Sequence, residues 1–332
     1  MATSLISSEM DIDAHGQQSG YLRVPHSTHD SAYGWIGVPI ICLNNGPGPT
    51  ILMTAGCHGD EYEGQIALAR LARDLDPAQI TGRLILLPTL NAPAAEAGCR
   101  VSPVDNGNLN RSFPGDPAGT PTQMIAHYLE EVLIPQTNLL VDLHSGGSSL
   151  VYPPTLLRGP GAAPSEAELL LALQDAFDLP YSWVFPSSPG RHSTGRTAMA
   201  AANRKGVPSV MAELGGAGSV DSANLALTER GLRRILHQQG LLPAYAPDPP
   251  HGTRELHVQG SVYAYDTGLF EPFKAISDTV AEGETIGLIH DTLKPMASPV
   301  EITSPHAGLV LAKRTLGQVK RGDALFQIAR DI

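Results

Sequence analysis

Short apolar runs alternate with segments of helical periodicity up to about residue 240 of the chain. The run Thr50–Ala55 (TILMTA) is followed by helical spacing over residues 63–75 and by a second apolar run over residues 83–90. Strands that are buried on both faces read as continuous apolar runs, because neither face meets water. The alternation therefore predicts βαβ units with right-handed crossovers, in a mostly parallel mixed sheet flanked by helices.

The same alternation extends on both sides of this unit. Strand-like runs over residues 20–25 and 35–43 precede it. Residues 165–168 (SEAE) are predicted to form a capping box that begins a helix ending near Asp178. The other predicted elements are helices over residues 122–134, 197–205 and 221–240, and strands over residues 139–143, 181–185 and 209–214.

The character of the sequence changes after a proline-rich segment, residues 243–252 (PAYAPDPPHG). Beyond it, short β-like runs separated by Gly, Pro and Asp turns replace the helical periodicity. These runs cover residues 261–265, 284–289, 308–312 and 324–328. We therefore predict two domains, an α/β domain over residues 1–245 and a smaller all-β domain over residues 246–332.

The chain of 332 residues is acidic, with a formal net charge of −11. This charge argues against nucleic-acid and anionic membrane partners, which need basic surfaces, but it leaves a small-molecule substrate open. The N-terminus has no signal-peptide pattern, and no run approaches the ~18 apolar residues of a membrane span. Three cysteines without paired spacing, Cys42, Cys57 and Cys99, are typical of a reducing compartment. We expect a cytoplasmic protein, and a homo-oligomer remains open.

Residues 56–64 (GCHGDEYEG) follow a predicted buried strand, at the end of the strand where open α/β sheets bind ligands. His58 and Glu61 are three residues apart, so that a single turn can direct both at one ion. His144 comes at the end of another predicted strand and is followed by Ser-Gly-Gly. Two histidines and a carboxylate are the protein ligands of a catalytic zinc site with an open fourth position. We predict that His58, Glu61 and His144 bind one Zn²⁺.

Neighbouring side chains leave alternatives open. Cys57 could supply a thiolate, and Asp60 and Glu63 could compete as ligands, although their neighbours offer a better-spaced set. Asp142 lies two residues before His144, which places both on the same face of a strand. Asp142 could therefore orient the ligand, or it could be a buried acid with another partner.

The candidate substrate-binding and catalytic residues follow in loops and at a strand end. Residues 108–115 (NLNRSFPG) contain Asn110, which can donate and accept hydrogen bonds, and Arg111, whose planar guanidinium matches a carboxylate. Arg100, upstream of this loop, is a further candidate. Glu213 ends a run of small and apolar residues, and beside a zinc-activated water it is the expected general base.

These motifs occur in the order found in a known family. With residues 58–61 (HGDE), Asn110, Arg111, His144 and Glu213, the chain from about residue 20 to its end resembles the succinylglutamate desuccinylase/aspartoacylase family, which has the zinc carboxypeptidase-like fold. The resemblance implies His58, Glu61 and His144 as zinc ligands, Asn110 and Arg111 as substrate-binding residues, and Glu213 as the base. Arg100 resembles a further substrate-binding arginine of the family.

Several stretches are most similar to the branch of this family that degrades ectoine. They are residues 30–34 (DSAYG), 58–64 (HGDEYEG), 107–115 (GNLNRSFPG), 213–216 (ELGG) and 268–272 (GLFEP). The resemblance implies an amidohydrolase that acts on linear amides and converts N-α-acetyl-L-2,4-diaminobutyrate to acetate and L-2,4-diaminobutyrate.

Two charged positions have less clear counterparts. The aspartoacylase arginine that precedes the base has no clean equivalent, because Arg204 lies at the end of a predicted helix. Glu271 lies in a turn of the β-rich tail, where it could meet a substrate ammonium if that domain caps the active site. The competing interpretation of Glu271 is an exposed turn acid.

The same residues are compatible with other functions. A related zinc deacylase could act on another small N-acyl amino acid. A non-catalytic zinc-binding or carrier module is a further alternative, since the tail resembles lipoyl-type barrels, although Lys313 and Lys320 have ordinary contexts. A nucleophilic hydrolase is disfavoured because the chain lacks Gly-x-Ser-x-Gly. The spacing of residues 215–218 (GGAG) likewise disfavours a dinucleotide site.

Overall fold

The structure is a computed structural model and describes residues 4–185 and 195–332. Within these ranges it contains 18 β-strands and six α-helices, and none of the helices there is long and apolar enough to cross a membrane. The strands are β1 (Ser7–Ser8), β2 (Gly16–Pro25), β3 (Trp35–Asn44), β4 (Thr50–Ala55), β5 (Arg83–Leu87), β6 (Leu139–His144), β7 (Leu150–Val151), β8 (Thr155–Arg158), β9 (Tyr181–Val184), β10 (Ser209–Glu213), β11 (Arg254–Tyr263), β12 (Gly268–Pro272), β13 (Thr279–Val280), β14 (Thr285–His290), β15 (Val300–Thr303), β16 (Gly308–Arg314), β17 (Gln318–Val319) and β18 (Ala324–Asp331). The helices are α1 (Tyr62–Asp74), α2 (Ala92–Ala97), α3 (Pro121–Tyr128), α4 (Pro164–Phe177), α5 (Ala198–Arg204) and α6 (Ser222–Gln238).

The main sheet has parallel strands at its centre and antiparallel strands toward its edges. Its order is β1-β2-β3-β5-β4-β6-β10-β8-β9-β11-β18-β16-β13, and β7 pairs with β16. The neighbours β5, β4, β6 and β10 are parallel to one another, as are β8, β9 and β11. The predicted α/β class, with a mixed sheet flanked by helices, is confirmed.

Side chains of the central strands alternate between two cores. In β4, Ile51 and Met53 belong to a core that includes residues of α1, α4 and α6. Leu52 faces the opposite side, where Leu140 of β6 and Ile125 of α3 lie in a second core. Burial on both faces explains why these strands read as unbroken apolar runs.

The carboxyl ends of three central strands lie side by side. Ala55 at the end of β4 pairs with Leu143 of β6, and His144 at the end of β6 pairs with Glu213 of β10. The loops that follow β4 and β6 therefore meet at one rim of the sheet. Strand pairing thus places the predicted ligands and the predicted base at the same edge.

The predicted helix over residues 122–134 is shorter in the structure. Helix α3 ends at Tyr128, and a π-helical turn, Leu129–Leu133, follows it. The turn leads into a short 3₁₀ helix, Ile134–Gln136, that contains Pro135. Because proline has no amide hydrogen, the α-helical hydrogen-bond pattern cannot continue through this position.

The predicted capping box at residues 165–168 is wrong. Helix α4 begins at Pro164, so Ser165 lies inside the helix and cannot be its N-cap. Proline fits a first helical position because its missing N–H would have no partner there. The Glu166 carboxylate instead accepts a hydrogen bond from the backbone of Ala162. A capping box does occur at the start of α3, between Thr120 and Gln123.

The main sheet continues into the C-terminal region. Strand β11 pairs with β9, and β18, β16 and β13 follow beside it. The remaining strands form a separate antiparallel sheet in the order β15-β14-β12-β17. The predicted boundary at residues 245 and 246 lies between α6 and β11, so strands from both sides of it belong to the main sheet.

Candidate metal centre

The loop between β4 and α1 carries two of the predicted ligands. A Cβ atom at Gly59 would lie 1.9 Å from the carbonyl oxygen of Ala94 in α2, so no side chain fits there. The Gly59 amide donates a hydrogen bond to the carbonyl oxygen of Cys99 at 2.8 Å. This close approach fixes the turn, which places His58 in the loop and Glu61 at the N-cap of α1.

His58, Glu61 and His144 form a buried cluster at the rim of the sheet. The Nδ1 atoms of His58 and His144 lie 2.6 and 2.7 Å from the two carboxylate oxygens of Glu61. One candidate ligand atom from each residue lies within 4.8 Å of the others. The structure therefore brings the three predicted ligands within joint reach of a single ion.

The other nitrogen of each imidazole faces an oxygen that can hold its proton. His58 Nε2 lies 3.2 Å from Asn108 Oδ1, and His144 Nε2 lies 2.9 Å from Asp142 Oδ2. A neutral imidazole that donates from Nε2 keeps its lone pair on Nδ1. When both imidazoles are neutral and donate from Nε2, their Nδ1 lone pairs face the same carboxylate, an arrangement of acceptors that a bound cation would stabilise.

Asp142 is the residue that orients His144. It is fully buried in β6, and its second oxygen accepts a hydrogen bond from the Thr54 hydroxyl at 2.7 Å. Although burial opposes protonation, the negative charges of Asp142 and Glu61 raise the pKa of His144 well above its usual range. The same charges stabilise any cation held at this cluster, so the donor set fits a divalent metal ion such as Zn²⁺.

Glu213 lies beside this cluster, directly across from His144 in the parallel pair of β10 and β6. Its Oε2 atom is buried and has no hydrogen-bond partner among the described residues. Burial, followed by the negative charge of Glu61, raises the pKa of Glu213 to about 8. A carboxyl group in this setting is suited to take up and release a proton near neutral pH.

Arginine side chains supply positive charge near the cluster, and one of them lies in the loop after α2. Arg100 lies 3.3 Å from Glu61 Oε1. Burial, followed by the positive charges of Arg100 and then of Arg196, lowers the pKa of Arg111. The positive charges of these arginines favour an anionic substrate group near the cluster.

Comparison with known proteins places this chain in a family. Residues 47–238 match the model of the succinylglutamate desuccinylase/aspartoacylase catalytic domain. The chain belongs to the succinylglutamate desuccinylase/aspartoacylase family.

Relatives of the family match this chain over almost its full length. An N-alpha-acetyl-L-2,4-diaminobutyric acid deacetylase of Halomonas elongata is 37% identical over 98% of this chain and 95% of its own. A succinylglutamate desuccinylase/aspartoacylase of Rhodobacter sphaeroides is 38% identical, with a TM-score of 0.92 over 99% of both chains. The product-bound ectoine utilization protein EutE (DoeB) of Ruegeria pomeroyi is 35% identical, with a TM-score of 0.93 over 99% of this chain and 100% of its own.

In this member of the family, Asn110 faces two neighbours through different atoms. Its Oδ1 atom accepts a hydrogen bond from the Ala198 amide at the start of α5, at 3.0 Å. Its backbone carbonyl accepts one from Arg111 at 2.6 Å. No contact within residues 4–185 and 195–332 occupies the Asn110 side-chain NH₂ group, which can therefore act as a donor to a ligand.

Three residues that could have competed as ligands have other environments. Burial, followed by the negative charges of Asp142 and Glu61, raises the pKa of Cys57 well above its usual range, so Cys57 remains a thiol. Asp60 Oδ2 accepts a hydrogen bond from the Ser148 amide at 2.8 Å. Burial raises the pKa of Glu63, whose Oε1 lies 3.4 Å from the Asp221 amide.

Two further residues lie apart from the metal cluster. Arg204 pairs through two atoms with the buried carboxylate of Glu130, at 2.7 and 2.8 Å. Glu271 lies on β12 of the small sheet and pairs with His290 at 2.8 Å, and both side chains are exposed. No contact within the described ranges joins Glu271 to the metal cluster, and its substrate-binding role stays a prediction.

Sequence reasoning missed three side chains that the structure associates with the cluster. Asn108 Oδ1 lies against Nε2 of His58, and the Thr54 hydroxyl donates a hydrogen bond to Asp142. The positive charge of Arg196 contributes to lowering the pKa of Arg111. Asn108 precedes Asn110 in the same polar loop, which was the one available signal. Thr54 sits inside an apolar run, where a threonine reads as an ordinary strand residue.

Proposed function

We propose that this chain is a zinc-dependent deacetylase of ectoine breakdown, which hydrolyses N-α-acetyl-L-2,4-diaminobutyrate to acetate and L-2,4-diaminobutyrate. The observation that carries the proposal is the buried set of His58, Glu61 and His144 beside Oε2 of Glu213, which has no hydrogen-bond partner in the described part of the chain. The Halomonas elongata relative, which is named for this activity, supports the choice of substrate.

His58 and His144 through Nδ1, and Glu61 through its carboxylate, would hold one zinc ion per chain. When bound there, zinc supplies Lewis acidity toward the acyl carbonyl and toward water. Asn108 and Asp142 keep the two imidazoles in the tautomer that this binding requires.

Glu213 acts as the general base and then as the general acid. It accepts a proton from the attacking water at Oε2 and delivers it to the nitrogen of the leaving amine as the amide bond breaks. The hydroxyl of the water thus joins the acetyl carbon, and its other proton passes through Glu213 to the amine as the C–N bond breaks, which gives acetic acid, ionised as acetate, and L-2,4-diaminobutyrate. A divalent cation nearby favours the charged carboxylate and so prepares Glu213 to accept the proton.

Arg111 and the Asn110 NH₂ group bind the substrate carboxylate. The guanidinium of Arg111 offers two parallel donors to the two carboxylate oxygens, and Arg100 adds positive charge at the Glu61 side. Holding the carboxylate fixes the position of the adjacent amide, which lowers the entropic cost of the reaction.

We also propose that the β-rich region, residues 246–332, caps the active site of the α/β region, residues 1–245. This is supported by Thr315, whose amide and hydroxyl donate to the carbonyl oxygens of Ser149 at 3.0 Å and Ser148 at 2.7 Å, in the loop after His144.

For the whole protein we propose a cytoplasmic location, a small-molecule substrate and assembly as a homo-oligomer.

Acetate release tests the function directly. The purified protein is offered N-α-acetyl-L-2,4-diaminobutyrate, N-acetyl-L-aspartate and N-succinyl-L-glutamate at equal concentrations. We expect the first to be hydrolysed with the highest kcat/KM, loss of that activity after chelation, and recovery with added Zn²⁺. Preference for either of the other substrates, or full activity after complete chelation, would contradict the proposal.

A further inference from the structure

The loop that follows the ligand His144 and the turn that follows the base Glu213 are joined by backbone hydrogen bonds. We call residues 145–152 the ligand loop and residues 214–218 the base turn. The amides of Gly146 and Tyr152 in the ligand loop both donate to the carbonyl oxygen of Gly215 in the base turn, each at 3.0 Å. The position of the base turn therefore depends on the ligand loop.

The backbones of the ligand loop and the base turn lie in close contact. Gly216 in the base turn has a φ of +134°, a conformation that residues with a side chain rarely adopt. A Cβ atom at Gly216 would lie 2.2 Å from the carbonyl oxygen of Leu150 in the ligand loop. A shift of the ligand loop would therefore be transmitted directly to the base turn.

Tyr152 connects the ligand loop to the C-terminal region. Its side chain is buried, 6% exposed, in a cluster formed with residues of β11, β16 and β18, among them Leu256 and Leu311. Its hydroxyl donates a hydrogen bond to Oε1 of Gln327 in β18 at 3.0 Å. The backbone of Tyr152 thus holds the base turn while its side chain is held by a strand from the other end of the chain.

Burial favours the neutral phenol of Tyr152, which is the form that donates this hydrogen bond. Burial, followed by the negative charge of Glu213, raises the pKa of the Tyr152 phenol well above its usual range. The phenol therefore stays protonated near neutral pH and remains a donor to Gln327.

We propose that Tyr152 is a positioning residue for the deacetylase reaction, and that its hydrogen bond to Gln327 allows the C-terminal strand β18 to set Glu213 against the metal cluster. The inference rests on the proposed function, because it takes Glu213 as the base. Through this contact, the C-terminal region determines the position of Glu213 in addition to covering the active site.

Removal of either partner tests this role in the metal-loaded full chain. We expect Tyr152→Phe and Gln327→Leu each to lower kcat about tenfold, with KM within about twofold of wild type and unchanged zinc content. The double variant should be no slower than the slower single variant, because both remove the same hydrogen bond. Tyr128→Phe is the matched control, since it removes a buried phenol from the other core and should leave kcat unchanged.

Hydrogen exchange of the backbone separates this inference from the proposed function. Peptides covering residues 213–218 should exchange faster in Tyr152→Phe and Gln327→Leu than in wild type, and Tyr128→Phe should not change them. If these peptides exchange faster in the two variants but the wild-type protein releases no acetate, the deacetylase proposal is refuted and the link between Tyr152 and the base turn is kept. Unchanged exchange and unchanged kcat in an active enzyme, even with a lower Tm, would overturn the inference.

Discussion

Two regions of the molecule place histidine nitrogens at nearly the same distance from a glutamate. At the rim of the main sheet, His58 and His144 lie 2.6 and 2.7 Å from Glu61, and on the small sheet His290 lies 2.8 Å from Glu271. The side chains differ in burial, because those of the first group are 2–3% exposed, whereas those of His290 and Glu271 are 40% and 56% exposed.

Burial and the convergence of side chains, and not the distances, distinguish the metal cluster from the exposed pair of His290 and Glu271. Water screens an exposed pair such as His290 and Glu271, which contributes little to stability. At Glu61, two imidazoles share one almost fully buried carboxylate, and Asp142 adds further negative charge behind His144. A divalent metal ion held by these three side chains would compensate this negative charge.

Replacement of a ligand should give the largest effect and test the comparison most directly. We expect His144→Ala to lose its zinc and to reduce acetate release to the level of chelated wild type, because two ligands cannot replace a three-ligand site. Metal content by elemental analysis and acetate release measure both effects. His290→Ala is the matched control and should retain both, and equal loss in the two variants would refute the distinction.

Replacement of the base should remove chemistry while leaving the metal in place. We expect Glu213→Gln to lower kcat by about 10²–10⁴, because the amide cannot accept the proton from water. Zinc content should match wild type, since Glu213 is not among the three proposed ligands. Near-full activity with zinc bound would show that another group takes the proton.

Replacement of the acid behind His144 should weaken the metal site by a smaller factor. We expect Asp142→Asn to reduce zinc affinity about 10–100-fold. The neutral amide oxygen accepts the hydrogen bond from His144 less strongly than the carboxylate does, and the substitution removes a negative charge beside the site. Competition with a chelator of known affinity measures this change.

The matched control for that variant is Asp178→Asn, which removes another buried carboxylate that holds a histidine. Asp178 Oδ2 lies 2.9 Å from His251 Nδ1, far along the chain from the ligands. We expect this variant to cost about 1–3 kcal/mol of unfolding free energy and to leave zinc affinity unchanged. Equal zinc affinity in the two aspartate variants would show that Asp142 only supports the fold.

The pH dependence of stability should distinguish Glu213 from exposed acids. In the metal-free protein the pKa of Glu213 is raised to about 8, above the ordinary value near 4.3 in the unfolded chain. The folded state then binds the extra proton between these values, so its stability decreases as the pH rises through this window. Glu213→Gln lacks this contribution, and after chelation its unfolding free energy relative to wild type should increase from pH 5 to pH 8 in urea titrations. Parallel pH profiles would contradict this.

The sequence predicted the parts of the site that depend on strand ends. Buried apolar runs located β4, β6 and β10, and a parallel sheet brings the carboxyl ends of such strands together, which was enough to group His58, His144 and Glu213. The partners of these residues could not be predicted in the same way. Contacts such as that of Tyr152 with Gln327 join positions 175 residues apart, and they depend on side-chain packing that periodicity does not encode.

The smallest expected effect concerns Glu271, which the sequence alone suggested as a partner for a substrate ammonium. Its exposed pairing with His290 leads us to expect that Glu271→Gln changes KM by less than twofold and the unfolding free energy by no more than about 0.5 kcal/mol. Steady-state kinetics at several concentrations of N-α-acetyl-L-2,4-diaminobutyrate measure the first quantity, and urea titration measures the second. A clear rise in KM for this substrate without a matching rise for N-acetyl-L-aspartate would instead place the Glu271 carboxylate next to the substrate ammonium, and the small sheet would then contribute to specificity as well as to the fold.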